Sequence, residues 1–445
     1  MNKYNLTKTI FSLNYSFIIS IIISLAVLAA FSGVLIADFV MWDDDLNMLM
    51  NSKLGGLSFK RIYQAFTDFD SMNRYNPLIT INQGILYDFF HFNPLGYHLI
   101  NWIFHGLSSG LLFLIIRKIL LRSSLKIQDN IESFNRRVNI AALLATLCWA
   151  LHPLRVEPVA WAATAGHNQA LFFLLLSTLL YMKAIDLETD RHRYIHFMVP
   201  AVLSYATASF SQAIGITYFA VFFIFDIFLY QRIGGAIGWW KSSKAKKVLF
   251  EKMIFAIPAV YTVVMSVVVR IKSVGISQPP ITLSDFGLID RIMQATYILS
   301  YYLWRPFYPV DLAPVYTTLF YFLPLSIPFV LSAFFVIVVS ITLLIFIKRW
   351  PLLAALWLSY IILSIPLMGF LEHPHIHCDR YSLITSICLS ILIAFALIKS
   401  SKNRYLYATS VSFLIIIIFT LGLLTMKQIT IWNNSESLFT HTIQT

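Results

Sequence analysis

A polytopic bundle of membrane-spanning helices is the fold class this sequence predicts, and three observations carry the prediction. Of its 445 residues, 58% are hydrophobic and only 12% are charged, whereas a soluble domain carries roughly 25% charged residues. Apolar runs recur from one end to the other, several of them close to the ~20 residues that cross a bilayer. The basic residues are also sorted. Alternate connections between the apolar runs hold 22 of the 33 Lys and Arg but 6 of the 21 acids, as the positive-inside rule demands of cytoplasmic loops. The net charge of +12 is therefore a topology signal, and a nucleic-acid partner is not implied.

The elements follow in order. Spans are expected near 15–37, 97–117, 138–152, 168–186, 194–211, 213–231, 252–270, 323–347, 351–370, 379–399 and 404–426, about eleven in all. The run at 138–152 is the shortest. Lys3 and Lys8 before the first run resemble a signal peptide, but the run is longer than a typical h-region, so a retained anchor is expected. The stretch 289–304 is a half-candidate carrying Arg291. Counting it as a crossing would put Lys348-Arg349 outside, so 271–322 is read as one external segment partly lying on or dipping into the membrane. This division gives a transmembrane domain over 1–426 with external loops at 38–96 and 271–322, and a short external tail at 427–445. The N-terminus is then cytoplasmic and the C-terminus external. Cys148, Cys378 and Cys388 show no paired framework or C-x-x-C spacing and are expected to be plain core residues.

Two loops carry the irregular features. In the first, residues 57–69 alternate apolar and polar at near-helical spacing, as a helix lying on the membrane surface does. In the second, Gln278-Pro279-Pro280 and the run Trp304-Arg305-Pro306-Phe307-Tyr308-Pro309-Val310-Asp311-Leu312 exclude a regular helix and suggest an ordered loop.

The chemistry concentrates on the side that the charge sorting makes external. Asp43, Asp44 and Asp45 follow the first span directly; three adjacent carboxylates repel one another and contribute nothing to spanning, so a base, a metal ligand or a solvated cap are the open readings. His152-Pro153-Leu154-Arg155-Val156-Glu157 ends the third span with an imidazole, a guanidinium and a carboxylate, either as a site or as a helix-end salt bridge. Asp379-Arg380 enters the tenth span, where Arg could hold a phosphate while Asp orients it, or where the pair merely caps the helix. His373, His375 and His377 alternate just before it, a pattern open to zinc or to ordinary surface histidines. On the second span His98, Asn101 and His105 share a face with Trp102 alongside, lining a cavity or cross-linking helices. Asp226, near a cytoplasmic helix end, is expected to be structural.

Taken in sequence, Trp42-Asp43-Asp44-Asp45, Tyr75-Asn76-Pro77-Leu78, Asn93-Pro94-Leu95-Gly96-Tyr97-His98, His152-Pro153-Leu154-Arg155-Val156-Glu157-Pro158-Val159-Ala160-Trp161, Pro309-Val310-Asp311-Leu312-Ala313 and Asp379-Arg380-Tyr381 resemble a known series. They look like the membrane half of the transmembrane and tetratricopeptide-repeat O-mannosyltransferases and their bacterial relatives. Trp432 with Ser435-Glu436-Ser437-Leu438-Phe439 resembles the junction before that family's helical repeats, which are expected to be absent.

The resemblance implies a GT-C fold and a glycosyltransferase that moves a sugar from a polyprenyl-phosphate carrier to a hydroxyl acceptor, mannosyltransferase-like and inverting, at the outer face of a bacterial plasma membrane. It carries the base over to Asp44 first and Asp43 second, with Asn51 setting the alignment, and a second loop acid to Glu157. Sugar bonded to phosphate already has a good leaving group, so the chemistry needs one carboxylate to accept the acceptor's proton and donors to stabilise charge on the departing phosphate. Arg380, Arg305, Arg155 and Arg74 are the candidates for that second task, with Asp379, Glu157, His152 and His98 beside them. A divalent cation held by Asp44 and Glu157 could do the same as a Lewis acid, and the arginines are preferred. Departures from the family pattern are Asn76 for Arg, His167-Asn168-Gln169 after Gly166 where a base and an acid are usual, and Ser211-Gln212 where Lys is usual. A partner protein could replace the missing repeats. A non-catalytic scaffold, or less readily a lipid-linked saccharide transporter, is the competing class.

Overall fold

The computed structural model describes residues 3–50, 55–69, 74–123, 131–234, 239–272, 281–370 and 375–444, with side chains from residue 15 onward. Asn51, Gln278-Pro279-Pro280 and His373, and the side chains of Lys3 and Lys8, lie outside the described residues.

Every regular element among the described residues is helical. In chain order they are α1 (Lys3–Ala30), α2 (Phe59–Thr67), α3 (Pro77–Phe90), α4 (Pro94–Ser123), α5 (Ile131–Ala150), α6 (Val156–Ala160), α7 (Ala165–Asp186), α8 (Arg191–Ser211), α9 (Phe219–Ile224), α10 (Ser243–Lys272), α11 (Leu288–Trp304), α12 (Ile327–Ile345), α13 (Pro351–Ser364), α14 (Ser382–Thr385), α15 (Ile387–Ser400), α16 (Arg404–Ile431) and α17 (Ser435–Gln444). Five helices are long and apolar enough to cross a membrane, and up to seven if each of two bent pairs is one span. The chain is an integral, multi-pass membrane protein.

Helix starts follow local chemistry. Ser58, Asp190 and Asn403 cap α2, α8 and α16 by accepting the N–H groups of Arg61, Arg193 and Tyr405, donors that the first turn leaves without intrahelical partners. Pro77 and Pro351 open α3 and α13, where proline's missing N–H costs nothing. The run expected to be the shortest span is in fact a 20-residue helix, α5, because it extends back to Ile131 through polar residues that a hydropathy window ignores. The 213–231 run is broken instead: a short turn, α9, and a π-helical turn at Phe225–Leu229 replace one continuous helix.

One apolar core runs through α1, α4, α5, α7, α8, α11, α13 and α15. α1 and α4 pack at close range through Gly106 and Gly110. A Cβ on Gly110 would stand 2.9 Å from the Ser20 carbonyl oxygen, and one on Gly106 would stand 2.6 Å from Leu28, so small residues let the two backbones approach. The half-candidate at 289–304 is a 17-residue helix, α11, with one face in this core. It holds on to residues on either side of one connection: Gln294 donates to the Met368 and Gly369 carbonyls, and Tyr302 to the Cys378 carbonyl.

At one rim of the bundle Asp226 sits in a buried ionic cluster. Arg232 pairs with Asp226 (3.0 Å), Glu251 (2.8 Å) and Glu188 (3.0 Å), and Lys252 pairs with Asp226 at 2.6 Å. Tyr181 donates to the same aspartate. This joins α7, α10 and the π-turn, so the polar residue expected to be structural is held as one. The opposite rim gathers the 37–49 turn, the start of α4, the 150–164 corner, the 305–316 loop, the 375–381 turn and α17.

Candidate functional site

Two bends build this second rim. α5 and the segment Pro153–Ala160 meet at 62°, and Asp379–Thr385 meets α15 at 49°. Each bend turns a charged motif inward, and the two motifs meet. The Arg380 backbone N–H donates to Glu157 Oε2 at 2.9 Å, and Arg380 Nη1 donates to Glu157 Oε1. The guanidinium lies 5.0 Å from the Trp161 ring and 5.1 Å from that of Tyr381, a position in which aromatic faces favour a cation. Its other nitrogens form no hydrogen bond among the described residues, so they remain available to an anion.

The acid run separates into three environments. Asp44 is fully buried and both its oxygens are occupied: Oδ2 accepts from the Val40 N–H (3.0 Å) and Oδ1 from the Ala163 N–H (2.9 Å). Burial pushes its carboxyl up to about 7, against the pull of those two backbone donors. Asp44 thus ties the turn after α1 to the corner before α7. Asp43 is exposed, at φ 83°, the left-handed region that a non-glycine residue enters at some cost. Its carbonyl accepts from the Asn47 N–H at 2.9 Å and the Asn47 side chain at 2.7 Å, which holds the turn. Its carboxyl is raised by partial burial, while Arg74 and then Arg380 pull it down. Asp45 is half-buried and opens the next turn.

Asp379 is buried, and Tyr316 Oη donates to its carboxylate, lying 2.9 and 3.0 Å from the two oxygens. Arg305 Nη2 donates to the same Tyr316 oxygen and to the Asp311 carbonyl, both at 3.0 Å. Arg155 is 1% exposed; Nη2 donates to Ser382 (2.8 Å) and Ser386 (3.0 Å), its guanidinium lies 5.4 Å from the Trp149 ring, and Nε and Nη1 have no hydrogen-bond partner among the described residues. His152 is a link: Nδ1 accepts the Leu154 N–H at 3.2 Å, leaving Nε2 to donate to the Pro306 carbonyl at 2.8 Å. His98 is buried against Phe39, its ring facing the backbone of Asp38 and Ala160. Asn101 and His105 reach the Trp161 and Ala150 carbonyls and so fasten α4 to the corner. Arg74 is exposed. His377 stacks on Tyr316 at 5.3 Å.

The cation proposed for Asp44 and Glu157 meets an unsuitable donor set. Each of their four oxygens already faces an N–H group, and no cluster of three His, Cys, Asp or Glu able to hold a metal occurs among the described residues. Four of the positions that depart from the family pattern, His167, Gln169, Ser211 and Gln212, also collect in one place. Gln212 Nε2 lies 3.3 Å from His167 Nδ1, and Gln169 donates to Ser211 Oγ at 3.0 Å while accepting from Asn82 at 3.0 Å. Neutral groups pair with neutral groups there, and no charge is stranded.

Tyr316 escaped the sequence reading. No charge or spacing marks it among 22 tyrosines, and only its neighbour, the 309–313 motif, points toward it.

A membrane-embedded helical bundle with an acid–arginine constellation at one rim defines the class. Among named proteins the chain is similar to Protein O-mannosyl-transferase TMTC2 of Homo sapiens, 28% identical over 167 residues, which is 38% of this chain. It is also similar to Protein O-mannosyl-transferase TMTC4 of Mus musculus, 27% identical over 212 residues, 44% of this chain. The chain is a distant relative of these O-mannosyltransferases. The matches span 18% and 27% of the relatives' own lengths. No family model matches the chain, and no solved structure does.

Proposed function

We propose that this protein is a membrane glycosyltransferase that takes a sugar, mannose by analogy with the named relatives, from a polyprenyl phosphate and passes it to a hydroxyl acceptor at the external face. The observation that carries the reading is the division of labour at Asp43 and Asp44. Asp44 has both oxygens bound to backbone and serves as the anchor. Asp43 is exposed on a strained turn within electrostatic reach of Arg74 and Arg380, and so replaces Asp44 as first choice for the base.

The acceptor oxygen attacks the anomeric carbon while Asp43 takes its proton. The bond from that carbon to the phosphate oxygen breaks, and the electron pair leaves with the polyprenyl phosphate. Attack opposite the leaving group inverts the anomeric configuration. Arg380, oriented by Glu157 and Trp161, and Arg74 stabilise the charge that grows on the phosphate. Arg305, Arg155 and His152 act behind them as supports. No step is routed through a metal. The reading includes a topology of eleven spans with cytoplasmic N-terminus, in which α11, bonded to Met368, Gly369 and Cys378, stays on the external side. Its setting is a bacterial plasma membrane.

The test is sugar transfer from a synthetic polyprenyl phosphate mannose in reconstituted membranes. Asp43→Asn should lower kcat by roughly 10²–10⁴-fold with donor binding retained, and Asp44→Asn should lose activity together with order in the 37–49 turn. Normal transfer by Asp43→Asn refutes the base assignment. Donor binding without turnover by the wild type would favour a scaffold.

A further inference from the structure

The two loops that meet at this site share no direct hydrogen bond between the 38–42 and 311–316 segments, yet one element touches both. α17 and the residues leading into it hold the first loop through three contacts. The Asp38 N–H donates to the Asn433 carbonyl at 2.8 Å, the Met41 N–H donates to Ser435 Oγ at 2.9 Å, and Trp42 meets Phe439 edge-on at 6.2 Å. They hold the second loop through a single carbonyl. Gln428 donates to Leu312 O at 3.2 Å, and His441 Nε2 lies 3.1 Å from the same oxygen, to which it can only donate.

From those two grips the connection to the reacting groups is short. On one side Met41 and Trp42 adjoin Asp43 and Asp44. On the other, Leu312 lies between Asp311, whose carbonyl receives Arg305, and Ala313, whose N–H donates to Tyr316 Oη at 3.2 Å. Tyr316 then holds Asp379, next to Arg380. The strut is itself seated rigidly: Trp432 packs on Trp161 at 5.9 Å, and Leu438 is fully buried. Ser437 and Asn434 lock its first turn by mutual hydrogen bonds.

We propose that the 428–441 segment is a positioning strut that sets the separation between the Asp43 turn and the Arg380 turn, with Ser435, Phe439 and His441 as its positioning residues. The proposal rests on the sugar-transfer reading for its catalytic consequence but not for its mechanical one. None of the three touches a reacting atom; they act through the loops.

The full-length protein in nanodiscs, as wild type, Ser435→Ala, Ser435→Thr and Phe439→Ala, tests this by hydrogen–deuterium exchange and by transfer from a short-chain polyprenyl phosphate mannose to a Ser/Thr peptide. Ser435→Ala removes one hydroxyl at the periphery and keeps the question open should Phe439→Ala fold poorly. Exchange is expected to quicken in both 38–42 and 311–316. kcat should fall roughly ten- to hundredfold, as a misplacement of about 1 Å produces, with donor KM nearly unchanged. Ser435→Thr, which keeps the hydroxyl, should restore both. Exchange changes confined to 432–444 or to one loop would overturn the strut, as would unchanged kcat with both loops loosened. Absence of transfer by the wild type would sink the sugar-transfer reading, and exchange in the two loops would still decide for or against the strut.

Discussion

Glu157→Ala removes the carboxylate that neutralises Arg380, and its cost follows from the geometry. Glu157 is 3% exposed and the Arg380 side chain 11%, so water cannot rescue the cation that remains. Losing one member of a buried pair costs about 3–5 kcal/mol. The damage should be local, because the pair clamps the 379–381 turn to α6 and the rest of the core does not depend on it. Cys378 is a built-in reporter, buried immediately before that turn. In a Cys148→Ala, Cys388→Ala background it is the only thiol left, and a membrane-impermeant maleimide reports how often the turn opens. With opening at equilibrium, 3–5 kcal/mol corresponds to roughly a hundred- to several-thousandfold faster labelling. Glu157→Gln keeps an acceptor for the Arg380 N–H and should give an intermediate rate. If Cys378 labels equally fast in Glu157→Ala and the parent, the buried pair does not hold the turn and the reasoning fails.

Other outcomes follow from the same contacts. Transfer should rise with pH through about 7, because burial raises the Asp44 carboxyl to about 7 and the Val40 and Ala163 N–H groups hold its ionised form, the form that anchors the Asp43 turn; a flat kcat/KM profile from pH 5 to 8 counts against this. The stability contribution runs the other way. The folded state holds the Asp44 proton more tightly than the unfolded one, so stability from this group falls between its ordinary 3.8 and about 7; thermal midpoints at pH 5 and 8, wild type against Asp44→Asn, would show it. Tyr316→Phe takes the hydroxyl from buried Asp379 and should cost about 1–3 kcal/mol, read as an earlier unfolding midpoint in detergent than that of Tyr308→Phe. Arg232→Met leaves Lys252 as the one cation within salt-bridge reach of both Asp226 and Glu251 among the described residues at the opposite rim, one buried charge short, and should cost about 3–5 kcal/mol without changing donor KM.

Composition, run lengths and charge sorting were enough to read a multi-pass helical protein, because bilayer thickness and loop charge act on the chain locally. Helices occupy most positions where an apolar run was expected, although only five, or up to seven with the two bent pairs, are long and apolar enough to cross a membrane; the acid run, the Glu157 motif and Asp379-Arg380 all stand at one rim. Run length alone misjudged α5, whose first turns are polar, and missed the π-turn at Asp226. It also could not rank three adjacent aspartates. Their difference is one of partners: two backbone N–H groups from positions 40 and 163 for Asp44, two arginines from positions 74 and 380 for Asp43.

Sequence alone thus determined the class of the protein, the rim where its charged motifs gather and the family it resembles, since each of these depends on residue type and order along the chain. Only the tertiary structure decided which carboxylate is exposed, that Glu157 is paired with Arg380, that Tyr316 joins Arg305 to Asp379, and that α17 grips both loops. Those facts depend on contacts between residues more than a hundred positions apart in most cases, or on which side a backbone turn faces. Packing creates such relations when the bends in two helices and the loops between them close on one another.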